Sequence, residues 1–159
     1  MFGWWNVQQQ FNSEALALNN FGADMPTGLR NTDIQAQNNL DAGLKAFHNG
    51  DLEGAVALFS SIEMQNDSFA STVAYYLGQT YFKLKQYDKA VNEFEKVVTS
   101  NDIRFKDNAD WYNVLANLAN GKEVTQSLAA IATNENHPYQ IQAQELQQKM
   151  NSIWKKIAN

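Results

Sequence analysis

Apolar residues recur at helical spacing along most of the chain, starting near Asp33. Leu40, Leu44 and Phe47 fall at i, i+4 and i+7, which places them on one stripe of a helix. A turn follows at residues 49–51, and the stretch 52–62 repeats the same spacing on a second helix. The pattern therefore predicts a pair of short amphipathic helices joined by a tight turn.

The same alternation of helix and turn continues to the C-terminus. Further helices are predicted over about 69–84, around 90–97, over 105–120, over 123–132 and from 138 onward. The chain has only 8 Gly and 2 Pro, which favours long helices over a turn-rich β architecture. Residues 1–33 mix aromatic side chains with Asn, Gln and Gly and show no sustained period, so they are predicted to form an extended arm with one short helix near residues 13–18.

Three residues of the first helix pair recur in the next pair. Gly43, Ala55 and Phe59 are each followed 35 residues later by the same residue type, at Gly78, Ala90 and Phe94. A repeat of this length, with a small residue, then Ala, then an aromatic, is typical of stacked helix-turn-helix units. A Gly and an Ala suit the place where two helices cross closely, and an aromatic ring fills the space beside the crossing. The repeat therefore predicts an all-α solenoid.

The second unit resembles the tetratricopeptide repeat (TPR) family. The residues that support this are the run from Tyr76 to Leu84, then Tyr87 to Ala90, then Phe94. The resemblance covers residues 34–158 and implies an all-α solenoid of about three helix-turn-helix units, at about 36–70, 71–105 and 106–135, with a capping helix at 138–158. The first unit has Ala46 where the family has Tyr, and the third departs from the pattern after Leu118.

The resemblance also implies a concave groove, lined by the first helix of each unit. By position, its lining would be Leu40, Leu44, Phe47, Tyr75, Gln79, Phe82, Lys83, Tyr112 and Ala116. Some chaperone-binding members hold a C-terminal carboxylate with Lys and Asn. The matching positions here are Leu40, Leu44, Tyr75 and Gln79, none of which carries a positive charge. The expected partner is therefore a protein or peptide segment with apolar or aromatic side chains.

Composition excludes several other functions. The net charge is −5 and no Lys/Arg cluster occurs, which argues against nucleic acid and anionic membranes as partners. There are no cysteines, and the two histidines, His48 and His137, lie in different units. Since no nucleophile, phosphate-loop or metal-ligand motif is found, we expect no enzyme activity, no metal and no cofactor.

Two interpretations of the groove remain open at this stage. In the first, the chain is an adaptor or assembly scaffold whose groove binds a partner peptide. In the second, the arm at residues 1–30, from the same or a neighbouring chain, fills the groove and makes the domain a structural or self-assembling one. A homodimer could also form through an apolar edge of the last helix at Ile153, Trp154 and Ile157.

The two ends of the chain bear on its location. The start, Met1-Phe2-Gly3-Trp4-Trp5, is unusually apolar, and Trp pairs are common where a helix leaves a bilayer. The stretch 129–146 is similar to a subgroup of bacterial envelope TPR proteins in which a membrane anchor precedes a small periplasmic domain. The resemblance implies a membrane-anchored protein on the periplasmic side of the inner membrane, with the cytoplasm as the alternative.

Overall fold

The computed structural model describes residues 13–22, 34–62 and 67–157, with the backbone alone at 34–35, 67–68 and 153–157. Every regular element in those ranges is an α-helix. The helices are α1 (13–20), α2 (Ile34–Asn49), α3 (Leu52–Ser60), α4 (Asp67–Lys83), α5 (Tyr87–Thr99), α6 (Lys106–Ala119), α7 (Thr125–Thr133) and α8 (Gln140–Ile157). The side chains of Ile153, Trp154 and Ile157 and the residues 1–12 and 23–33 lie outside the described part, and with them the predicted dimer edge and most of the arm.

Helices that are neighbours in the chain are neighbours in space. The pairs α2–α3 and α4–α5 pack closely, α3 packs on α4, and α5 packs on α6. The first helices of successive units, α2, α4 and α6, also touch one another in order. This arrangement confirms the predicted all-α, TPR-like solenoid.

The crossing of the two helices within a unit is as close as the repeat predicts. A Cβ atom added to Gly78 would lie 2.6 Å from Cε1 of Phe94, and one added to Gly43 would lie 2.6 Å from Cε1 of Phe59. Both phenylalanines are fully buried. The two units therefore share one packing solution, in which the absence of a side chain on α2 or α4 makes room for a ring on α3 or α5.

The turns between paired helices share a left-handed residue. Gly50 follows α2 with φ of 82°, and Gly121 follows α6 with φ of 72°. Between α4 and α5 this position is held by Lys85, with φ of 59°. After the first turn, Asp51 caps α3 by accepting a hydrogen bond from the Gly54 amide at 3.0 Å.

In the second half of the chain, two helices begin elsewhere than the sequence predicts. Helix α5 begins at Tyr87, ahead of the helix predicted around 90–97, and the Tyr87 side chain is buried against the Phe82 ring. Pro138 lies before α8, which starts at Gln140 instead of at the proline. Helix α7 packs mainly on α8 and has little contact with α6, and Trp111 of α6 instead stacks on Tyr139 at 5.5 Å between ring centroids.

Candidate binding groove

Residues 13–22, here called the N-terminal segment, lie on the surface formed by α4 and α6. The ring of Phe21 stacks on that of Phe82, with centroids 4.2 Å apart and 13° between the planes. The Tyr112 ring lies tilted beside it at 5.0 Å, and the Tyr112 hydroxyl donates a hydrogen bond to the carbonyl oxygen of Gly22. The first helices of the second and third units thus hold one end of the segment.

The other end of the segment is held by a carboxylate. Oε1 of Glu14 accepts a hydrogen bond from the Tyr87 hydroxyl at 2.7 Å and lies 3.0 Å from Nζ of Lys85. These two contacts, the Tyr87 hydroxyl first, hold the pKa of Glu14 below its ordinary value. Burial, and then the bond to Glu14, raises the pKa of Tyr87 well above its usual range. The carboxylate is therefore the stable form at this site.

Between these two anchors, α1 presents a narrow face to the domain. Ala17 is fully buried and Leu16 packs partly against the core, whereas Leu18 points away and is 40% exposed. Glu14 and Ala17 are spaced i and i+3, so they follow one side of α1, and Phe21 stands one residue past the end of that helix. The segment is thus a short amphipathic helix that packs against the domain with one face.

The structure buries most of the residues that the resemblance assigned to the groove. Eight are buried, and they are Leu40, Leu44, Phe47, Tyr75, Gln79, Phe82, Tyr112 and Ala116. Phe82 and Tyr112 contact the N-terminal segment directly. Tyr75 packs within the domain, stacked on Phe105 at 4.7 Å. Partner binding by these residues stays a prediction.

Lys83 differs from the other predicted groove residues because it is exposed. Its Nζ atom lies 4.2 Å from the centroid of the Phe47 ring, so it joins α4 to α2 by a cation–π contact. Lys83 therefore has a contact within the domain, while its ammonium group stays open to solvent.

Sequence reasoning missed the polar anchor. The sequence pattern leaves Lys85 and Tyr87 between the helices predicted at 69–84 and 90–97, and it predicts no particular contact for Glu14 or Phe21 of the arm. One signal for Lys85 was available, because it stands 35 residues after Gly50 and so replaces the glycine expected at a left-handed helix end. No periodicity could have paired Glu14 with Tyr87, since that contact joins two parts of the chain that follow different patterns.

Other chemistry is sparse in the described part of the chain. Nε2 of His137 lies 3.8 Å from Oδ2 of Asp110, whose pKa is raised by burial. No group of three His, Cys, Asp or Glu side chains that could hold a metal ion was found among the described residues. A pocket of about 270 Å³ lies at the opposite end of α4 from Phe82, next to Ser71 and Asp102. None of the described helices is both long and apolar enough to cross a membrane.

The order and packing of the helices define a helical-repeat protein. The family model of the tetratricopeptide repeat matches residues 71–102, which span most of α4 and all of α5. The match and the all-helical fold show that this part of the chain is similar to the tetratricopeptide repeat. Such repeats generally mediate protein–protein interaction and are non-catalytic. No curated protein and no solved structure matched the chain.

Proposed function

We propose that this chain is a non-catalytic protein-interaction domain whose groove over α4 and α6 binds a short helical segment with an aromatic anchor. The observation that supports this proposal is the packing of the Phe21 ring against the rings of Phe82 and Tyr112. The chain's own segment has the chemistry expected of a partner peptide, apolar on one face and aromatic at its end. The adaptor or scaffold role predicted from the sequence follows from this binding.

The groove offers both affinity and tolerance of sequence. Phe82 and Tyr112 are buried when the segment is in place, and both side chains belong to helices of the domain. Held in this way, they should lose little entropy when a ring docks against them. Burial of apolar area contributes about 25 cal/mol per Å². The Tyr112 hydroxyl binds a backbone carbonyl, a group that every peptide has, so this contact fixes position without selecting a side chain.

Occupation by the chain's own segment would make binding competitive. A tethered segment has an effective concentration of about millimolar, so a partner in trans must either bind more tightly or meet a chain whose segment has been released. The N-terminal segment would thus act as an intramolecular competitor. This combines the two interpretations of the groove that the sequence left open.

A second candidate function is self-assembly by exchange of the segment. The segment contacts the groove through a few side chains at its two ends, Glu14 and Phe21, and the same contacts could form with the groove of a second chain. Each chain would then fill its neighbour's groove, which gives a closed two-fold dimer.

The test compares the full chain with two matched variants, Phe21→Ala and Leu18→Ala. The probe is a peptide with the sequence of residues 13–22, blocked at both ends to remove terminal charges, and its affinity is measured by NMR titration. Phe21→Ala should weaken the internal competitor and bind the peptide about tenfold more tightly than the unmodified chain. Leu18→Ala, which removes an exposed apolar side chain from the same segment, should leave peptide affinity unchanged.

Two results would contradict or redirect the proposal. If the peptide binds neither the unmodified chain nor Phe21→Ala, the groove does not accept a segment in trans. The mass from light scattering distinguishes the second candidate function from the first. Segment exchange gives about twice the 18.0 kDa of one chain, and Phe21→Ala should then reduce the mass to that of a single chain.

The predicted place in the bacterial envelope is a separate proposal. It rests on the resemblance of residues 129–146 and on the tryptophans at positions 4 and 5. Fractionation of the source cells, with an antibody against the folded domain, would test it directly.

A further inference from the structure

Lys85 has a backbone conformation that the chain gives to glycine at both related turns. Its φ is 59°, while Gly50 and Gly121 have φ of 82° and 72° at the ends of α2 and α6. A side chain is disfavoured in this region because Cβ crowds the following carbonyl, and glycine avoids that cost. A non-glycine residue here is thus a local exception within a repeating pattern, and such exceptions point to a function for the side chain.

The Lys85 side chain reaches the N-terminal segment. Its Nζ lies 3.0 Å from Oε1 of Glu14, and the Tyr87 hydroxyl donates to the same oxygen at 2.7 Å. Tyr87 is 8% exposed and packs edge-on to the Phe82 ring at 5.4 Å, so its hydroxyl is held in place. Two donors from the α4–α5 turn thus converge on one carboxylate, one of them rigid and the other a flexible cation.

The Glu14 carboxylate and the Phe21 ring contact the domain at two different places. Lys85 and Tyr87 contact the carboxylate, and Phe82 and Tyr112 contact the ring. Phe21 stands seven positions after Glu14, just past the last residue of α1, and this spacing corresponds to about 10 Å at the rise of a helix. An acidic residue near the start of a helix is also favoured by the helix dipole. A segment with its acid first and its aromatic last therefore satisfies both sites, whereas the opposite order places the acid at the unfavourable end.

We propose that Lys85 and Tyr87 form a carboxylate-recognition site that selects partner segments and sets their direction in the groove. The partner is a helical peptide with an acidic residue, a small residue three positions later and an aromatic residue seven positions later. This inference rests on the proposed function and names the chemical class of its partner. The buried Ala17 explains the small residue, since a longer side chain would lift the helix off the groove.

The experiment is a double-mutant cycle in the full chain with Phe21→Ala, which frees the groove. Lys85→Gly or Lys85→Met is added to this Phe21→Ala chain, which is called the host. Each host is titrated with the 13–22 peptide and with the Glu14→Gln form of that peptide. Both hosts lose the cation, and only Lys85→Gly also relieves the backbone. We expect both to bind the unmodified peptide about threefold to fivefold more weakly, as is usual for an exposed ion pair.

The rest of the cycle separates recognition from stability. Lys85→Gly should melt no lower than its parent, since glycine suits the turn, so that loss of binding there is not loss of fold. Replacing Glu14 by Gln in the peptide should weaken its binding to the parent host. This loss of affinity should be smaller in both Lys85 variants, and smaller again when Tyr87→Phe is added. The matched control is Lys96→Met, which removes another exposed cation, paired with Glu93 at 2.7 Å, and should change nothing.

Two results would overturn the inference, and they are distinguishable. If the unmodified and Glu14→Gln peptides bind every host equally, the groove selects the aromatic alone, and the proposed function stands without this site. If the unmodified peptide binds no host, the proposed function fails and the carboxylate site fails with it.

Discussion

Phe21 and Phe82 stack nearly parallel, with ring centroids 4.2 Å apart, and join the end of the N-terminal segment to the end of α4. The contact places an aromatic ring of one segment against the ring of a repeat helix that is itself buried. Stacked rings contribute about 0.5–1.5 kcal/mol beyond the area they bury. This pair is therefore the main apolar anchor of the segment.

Replacement of Phe21 by Ala should release the segment without unfolding the domain. We expect the docking free energy of residues 13–22 to fall by about 2 kcal/mol, from lost burial and stacking. Hydrogen exchange of the α1 amides should accelerate at least tenfold, while that of α5 stays unchanged. Equal acceleration in α1 and α5 would instead mean that the segment is part of the global folding unit.

Acid should also release the segment, through Glu14. Its pKa is lowered in the folded chain by Tyr87 and then Lys85, so its contribution is complete above the ordinary value of 4.5 and is lost as the pH falls through the lowered value. Exchange protection of α1 should be constant from about pH 7 to 5.5 and decline below about 4.5.

The control for the acid effect is Glu14→Gln, which cannot titrate. Other carboxyls, Asp88 and Asp102 among them, also have a lowered pKa, so the whole domain loses stability in acid. The difference in α1 protection between the two chains isolates Glu14. A difference that stays constant down to pH 3 would contradict the assignment.

Because α4 and α5 cross closely at Gly78, adding a single methyl group there should lower the free energy of unfolding. Gly78→Ala would bring Cβ to 2.6 Å from the buried Phe94 ring, so we expect a loss of about 1–3 kcal/mol in unfolding free energy. Adding Phe94→Leu should recover part of that loss, because the smaller side chain vacates the contact. Gly22→Ala is the matched control, since among the described residues its Cβ would meet the Tyr112 hydroxyl alone, at an ordinary 3.9 Å. Urea unfolding measures all three.

Helix capping gives an independent check on the first unit. Asp51→Ala removes the side chain that accepts from the Gly54 amide and should cost about 1 kcal/mol. Gln86 stands before α5 in the equivalent place but makes no side-chain cap bond, so Gln86→Ala should be nearly neutral. Thermal melts of the two variants would show a lower melting temperature for Asp51→Ala alone.

The sequence predicted the fold well because its signals are local. Helical spacing of apolar residues sets which face is buried, and turn residues such as Gly50 and Asp51 end one helix and begin the next. The 35-residue recurrence of Gly43 at Gly78 also predicted a close helix crossing, and the structure has no room there for a Cβ atom. In the third unit these signals weaken, and there α7 packs on α8 more than on α6.

By itself, then, the sequence determined the helices, their order and the close crossings, all of which depend on residues a few turns or one repeat apart. Only the tertiary structure decided that residues 13–22 cover α4 and α6, and that Glu14 meets Lys85 and Tyr87. The physical reason is that docking of a single segment depends on shape and charge at distant positions. It obeys no period, so no spacing along the chain could reveal it.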